Sequence, residues 1–374
     1  MMITPILHQT FRIVPLLCLL GACSQEQMAT PDNSRIDAAA QTVPAVVTDC
    51  ADEPGISYLC GPRNAEDILR IGSGPWLLTS GMNGELTGNT EIQGKLQLVN
   101  HETHAWEVLF PGTEPMFTHN IALFEGCPGP LDVNNFSAHG LAIQALADQP
   151  DHYRVYLTSH GAREAIEVFE LDASGSKPSI AWSGCVLMPE SAWTNSLVVL
   201  DDGGFLATQF METTGPGMAA VRAGEITGHV FEWHPGGEVT VVPGTELSGA
   251  NGIALTDDER WLFVAAYGTH EIVRFDRSVS PPSKTVIPLG ITADNVRWND
   301  SGDLLISGLN VEGCTDEPCG WSVVALDPEA LTVSPVVRMD GSITMQGVAT
   351  ALQVGDELWL GTYSGDRLGI VPLP

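Results

Sequence analysis

Basic residues are scarce. The 374 residues include 16 Lys and Arg against 46 Asp and Glu, a formal net charge of −30. Such a chain lacks the cationic footprint that phosphates require, which excludes nucleic acid as a partner. It also disfavours electrostatic attachment to anionic lipid. The excess acid serves either solubility or affinity for cations, and charge alone does not separate the two. Helical periodicity is missing as well: no long stretch repeats apolar residues every 3.6 positions, so helices should be few and short. No G-x-S-x-G occurs, so nothing signals a serine nucleophile. Cysteines and histidines do not cluster at zinc-ligand spacing. What is abundant is apolar residues (44%), 39 Gly and 25 Pro, the composition of a globular, turn-rich, all-β chain. The length suffices for a large core in one or two domains.

The N-terminus carries an export signal. Arg12 precedes the apolar stretch "IVPLLCLLGAC", too short for a membrane span and suited to a signal-peptide core. Its end, Leu20-Gly21-Ala22-Cys23, resembles the bacterial lipobox. That resemblance implies lipid on Cys23, membrane attachment through it and, with Ser24 in place of Asp, an outer-membrane destination. An ordinary secretory signal is the alternative. Residues 24–48 are polar and rich in Ala and Pro, the composition of a flexible tether. The expected organisation is therefore signal 1–22, tether 23–48 and folded domain 49–374. Setting Cys18 and Cys23 aside leaves Cys50, Cys60, Cys127, Cys185, Cys314 and Cys319, which in an exported protein suggests disulfides. Short loops favour Cys50–Cys60 and Cys314–Cys319, leaving Cys127–Cys185. This is one of fifteen connectivities, and a zinc site is the weaker alternative.

Six apolar runs, each ending in a small-residue turn, divide the rest. They are "WLLTSG" from Trp76, "VYLTSHG" from Val155, "FLATQ" from Phe205, "LFVAAYG" from Leu262, "LLISG" from Leu304 and "LWLGTYSG" from Leu358. Their spacing averages about 56 residues, room for several strands per unit, and predicts a six-bladed β-propeller. Paired β-sandwiches or a barrel are the alternatives. Turn signals such as "TDDER" and "NDSGD" precede the runs.

Hard oxygen donors recur at one offset before these runs. Glu66, Asn195 and Asp294 lie 10 residues ahead of theirs, Asn251 lies 11 ahead and Asn295 lies 9 ahead. In a propeller this offset falls at the start of the innermost strand, so the side chains converge on the central tunnel. Two carboxylates and three amides, without thiolate or imidazole, suit calcium. The second unit instead places His139 on its tunnel-facing segment, and His160 ends the following strand. Such a pair beside a cation can move protons near neutral pH. Phe136, Trp193, Phe210 and Tyr267 are candidates for an apolar wall.

From about Gly61 onward the chain resembles the paraoxonase/arylesterase lactonases, within the gluconolactonase and senescence-marker-protein propellers. The resemblance is carried by "AEDILRI…LLTSGM", "FSAHGLAI", "VYLTSHG…EVFEL", "TNSLVVL", "GANGIALTDDERWLFVAAYGTHEIVRF", "ADNVRWNDSGDLLISG" and "GVATALQVGDELWLGT". It implies a catalytic calcium held by Glu66, Asn195, Asn251, Asp294 and Asn295, with His139 and His160 as a histidine dyad. Three features depart from the family. A second, structural calcium would use Asp67, but Ser196 stands where an aspartate should complete it. The closing disulfide has no cysteine in "RLGIVPLP", so closure should rest on strand pairing. Gly249 replaces a pocket aromatic. The expected activity is calcium-dependent hydrolysis of a lactone or aryl ester, with water deprotonated by His139 and His160 orienting it or relaying the proton. Phosphotriester hydrolysis on the same site, and a ligand-binding propeller with structural calcium, are the alternatives.

Overall fold

The computed structural model describes residues 50–84, 92–311, 319–341 and 344–373. The leader, the tether with Cys23, and Cys314 lie outside the described residues. Those described form six sheets of four or five strands, each strand order running outward from an innermost strand. The innermost strands are Ile68–Arg70, Phe136–Ala145, Ala192–Val199, Ala250–Leu255, Ile291–Trp298 and Val348–Val354, which we number as blades 1 to 6. Each touches the next around a closed ring. This is a six-bladed β-propeller, as the repeat predicts.

Each apolar run is the second strand of its blade, for example Trp76–Gly81, Phe205–Glu212 and Glu357–Thr362. These strands are buried almost throughout because neighbouring blades cover both faces. That is why they read as continuous apolar stretches and not as alternating ones. Outer strands are more exposed, such as Ser283–Pro288 in blade 4. Among the described residues the sole α-helix is Met218–Arg222, and none is long and apolar enough to cross a membrane.

The ring closes by strand pairing. Ser57–Cys60 adds to the outside of blade 6 antiparallel to Arg367–Pro372, with Ser57 opposite Ile370 and Cys60 opposite Arg367. Cys60 is bonded to Cys50 and Cys127 to Cys185, as expected. Cys319 is also in a disulfide. Phe136 belongs to the core rather than to a pocket wall: it packs edge-on against Phe110, which packs in turn on Phe169.

The feature that builds the site is a repeated β-bulge. In blades 2 to 5 the pairing of innermost and second strands skips two residues: His139-Gly140, Asn195-Ser196, Asn251-Gly252 and Asp294-Asn295. A bulge frees its residues from the ladder and bends the strand. Small second residues let adjacent strands close in. A Cβ on Gly140 would lie 2.4 Å from the Asn195 carbonyl oxygen, and one on Gly252 would lie 2.3 Å from that of Asp294.

Candidate metal and catalytic site

The bulges bring together every donor that the sequence pattern singled out. Glu66, two residues before the blade 1 strand, accepts a hydrogen bond from Asn295 Nδ2 to Oε1 at 2.7 Å. Asn195 Nδ2 lies 3.3 Å from His139 Nε2, and that nitrogen lies 3.7 Å from Glu66 Oε1. Asn251 hydrogen-bonds the Asp294 carboxyl. All six side chains are buried.

Each asparagine thus directs its NH2 at a neighbour and leaves its carbonyl oxygen over. Glu66 Oε2, Asn195 Oδ1, Asn251 Oδ1 and Asn295 Oδ1 are buried without a hydrogen-bond partner. Buried polar atoms are almost always paired, and an orphaned acceptor costs roughly 1–3 kcal/mol. Four orphaned acceptors from four blades make a donor set of the kind that a cation would satisfy. The donors are hard oxygens, and they fit calcium. No three His, Cys, Asp or Glu form a metal-binding group among the described residues, because three of the five donors here are amides.

The electrostatics agree. Burial, followed by the nearby Asp294 and Asp67 charges, holds Glu66 well above the usual carboxylate range. Burial, opposed by the Asn251 hydrogen bond and helped by Asp67, pushes Asp294 up to about 7. Two buried carboxylates that resist ionisation side by side are stabilised as anions by a cation between them. Burial and then His160 hold His139 well below the usual imidazole range, so it is a neutral base at pH 7.

Asp67 is different. Its Oδ1 accepts from the Ile68 N–H at 2.9 Å and Thr350 Oγ1 at 3.3 Å, and its Oδ2 accepts from the Leu141 N–H at 2.8 Å. Oδ2 is also ion-paired with the Arg297 guanidinium. Arg297 in turn donates to the carbonyls of Ile68 at 3.2 Å and Leu141 at 2.9 Å. These partners occupy the lone pairs that a second calcium would need, and a guanidinium stands where that ion would stand. The residues do not fit a second metal there. A cavity of about 330 Å³ opens beyond Arg297, walled by Ile143, Val198, Leu255 and Trp298.

His139 and His160 do meet: Nδ1 of the first lies 2.8 Å from Nε2 of the second. Two residues that the offset did not reveal hold the pair. Glu164 Oε2 sits 2.7 Å from His160 Nδ1, and the Trp193 indole N–H donates to His160 Nε2 at 3.0 Å. The sequence signal for Glu164 is weak, a glutamate four residues after a histidine across a turn. A clearer signal lay in the runs themselves. Their fourth residue is a hydroxyl in blades 1, 2, 3 and 5, and in the last three it reaches the next blade. Thr158 donates to the Asn195 carbonyl at 2.7 Å and Thr208 to that of Asn251 at 2.7 Å. Ser307 likewise donates to the Ala349 carbonyl. The two threonines latch the donor-bearing strands of Asn195 and Asn251 to the preceding blade, and Ser307 does the same for the blade 6 strand, which carries no donor.

Trp193, Phe210 and Tyr267 stand in a row beside the dyad, with ring centroids 6.4 and 5.4 Å apart. They pack with Val221 of the short helix. Gly249 lies beneath them at φ +62°, and a Cβ there would meet Val221 Cγ1 at 2.8 Å and Phe210 Cε2 at 3.0 Å. Gly249→Ala should therefore cost about 1–3 kcal/mol in urea unfolding, from crowding together with the left-handed backbone. An unchanged unfolding midpoint would show that this roof yields freely.

The sequence matches no known protein-family model and no curated protein. Its structure is similar to that of a gluconolactonase from Xanthomonas campestris, with TM-score 0.51 and 18% identity over 85% of this chain and 89% of that one. It is also similar to a luciferin-regenerating enzyme, with TM-score 0.51 and 14% identity over 85% and 95% of the two chains. At these identities the likeness establishes the shared propeller fold.

Proposed function

We propose that this protein is a calcium-dependent hydrolase of lactones or aryl esters. The observation that carries the reading is the set of four orphaned buried oxygens beside a hydrogen-bonded histidine pair. The gluconolactonase of similar fold supports a lactone as the substrate class. Glu66, Asn195, Asn251, Asp294 and Asn295 would hold the ion. When bound, calcium supplies a Lewis acid that polarises the ester carbonyl and offsets the charge developing on its oxygen.

His139 Nε2 takes a proton from the attacking water as its oxygen bonds to the carbonyl carbon. His139 Nδ1 passes its own proton to His160 Nε2. The ring C–O bond then breaks, and the proton returns through the same nitrogens to the leaving alkoxide. The chain thus ends neutral, with one water consumed. Burial of Glu66 and Asp294 keeps competing water from weakening the donors. The disulfides support export to an oxidising compartment, in keeping with lipid attachment at Cys23.

The test is hydrolysis of a lactone panel in a pH-stat with calcium, after EDTA, and after calcium is restored. Reversible loss is expected. Bound calcium with no turnover of any lactone or aryl ester would overturn the reading and favour the phosphotriesterase or ligand-binding alternatives.

A further inference from the structure

The dyad has a third member that fixes which nitrogen carries which proton. Glu164 has a side chain only 9% exposed. Its Oε1 accepts from the Thr194 N–H at 2.7 Å and the Thr194 hydroxyl at 2.6 Å, and its Oε2 faces His160 Nδ1. A carboxylate held by two donors is an acceptor, so His160 carries its proton on Nδ1. An indole N–H only donates, so His160 Nε2 is the lone-pair nitrogen, shared as acceptor between Trp193 and the neighbouring ring. His139 Nδ1, 2.8 Å from that nitrogen, must then be the protonated one. This leaves the lone pair of His139 on Nε2, facing the Asn195 amide and the donor cluster. Each assignment follows from the one before, starting at Glu164.

We infer that Glu164 is a positioning residue that turns the histidine pair into a carboxylate–imidazole–imidazole relay. The inference rests on the proposed hydrolase reading. During turnover, positive charge left on His139 would sit against the cation-binding cluster. Transfer of the Nδ1 proton to His160 moves that charge one ring away, with ring centroids 5.1 Å apart, to a site that Glu164 faces directly. The proton that His160 shares with Glu164 stays on Nδ1 throughout, so protons balance at every stage. Glu164 touches neither substrate nor donors; it acts through the ring that it orients.

The tests are Glu164→Gln, Glu164→Ala and imidazole 15N NMR of the full-length wild-type protein. Glutamine removes the charge and leaves one acceptor oxygen, for which the Thr194 N–H and His160 Nδ1 compete. It should lower kcat by about 10- to 100-fold with KM and calcium affinity nearly unchanged. Alanine should lower kcat further and let both His160 tautomers appear. The wild-type spectrum should show both rings protonated on Nδ1, and this arm needs neither a variant nor turnover. If His160 is protonated on Nε2 in the wild type, or Glu164→Gln keeps kcat within about twofold, the role of Glu164 is overturned and the hydrolase reading stands. Absence of wild-type turnover overturns the hydrolase reading instead.

Discussion

Asp294→Asn should lower kcat/KM for lactone hydrolysis by about 10²- to 10³-fold, the scale of weakening the electrostatic stabilisation of a developing oxyanion. The same change should stabilise the metal-free protein above pH 7. The sign follows from the raised carboxyl. In the fold Asp294 titrates near 7, against an ordinary value of 3.8. Between those values the folded state binds more protons than the unfolded one, so stability falls as pH rises through that window. In EDTA the wild type should therefore have a higher melting temperature at pH 5 than at pH 8. The asparagine variant loses that part of the slope and should melt higher than the wild type at pH 8. Calcium should reverse the order, and its affinity for the wild type should rise with pH through about 7 because binding expels the proton. A wild type whose metal-free stability rises from pH 5 to pH 8 would contradict this account of the cluster.

Arg297→Met should destabilise the protein by about 3–5 kcal/mol, since removing one partner of a buried ion pair strands the other. Asp67 is 0% exposed, and it would keep its main-chain and Thr350 donors while losing its counter-charge. The pair ties the innermost strands of blades 1, 2, 5 and 6 together at the axis. The double variant Asp67→Asn/Arg297→Met should recover much of the loss, because the amide needs no counter-ion. Urea unfolding of the four proteins in the cycle gives the coupling. Strictly additive losses would mean that the two side chains act separately.

The blades and the donors were legible in the sequence for one shared reason. A propeller repeats its geometry, so residues doing the same job in different blades fall at the same offset from a run that is easy to see. The bulges at Asn195, Asn251 and Asp294 are that offset in physical form, while His139 stands on the matching bulge of blade 2 farther ahead of its run. What escaped was whatever the repeat does not repeat. Glu164 occurs once, in a turn, and its second partner is Thr194, thirty residues on in the next blade. Arg297 reads as a strand-end cation with no hint that it meets Asp67 across the tunnel. Phe136 sits in a site-bearing strand, yet the alternation of that strand turns it outward into the core. The strand Ser57–Cys60 lies before the first blade, and its partner is the last strand of the chain, more than 300 residues away.

The bulges also have an evolutionary consequence. A side chain within a strand ladder cannot change without disturbing its cross-strand partner. The residues at the axis stand outside the pairing, and the strands of Asn195 and Asn251 are held by latches from second-strand hydroxyls. Exchanging a donor there therefore need not re-register any sheet. The chemistry at the centre of this propeller can be rewritten one residue at a time while the scaffold around it is conserved by its own packing.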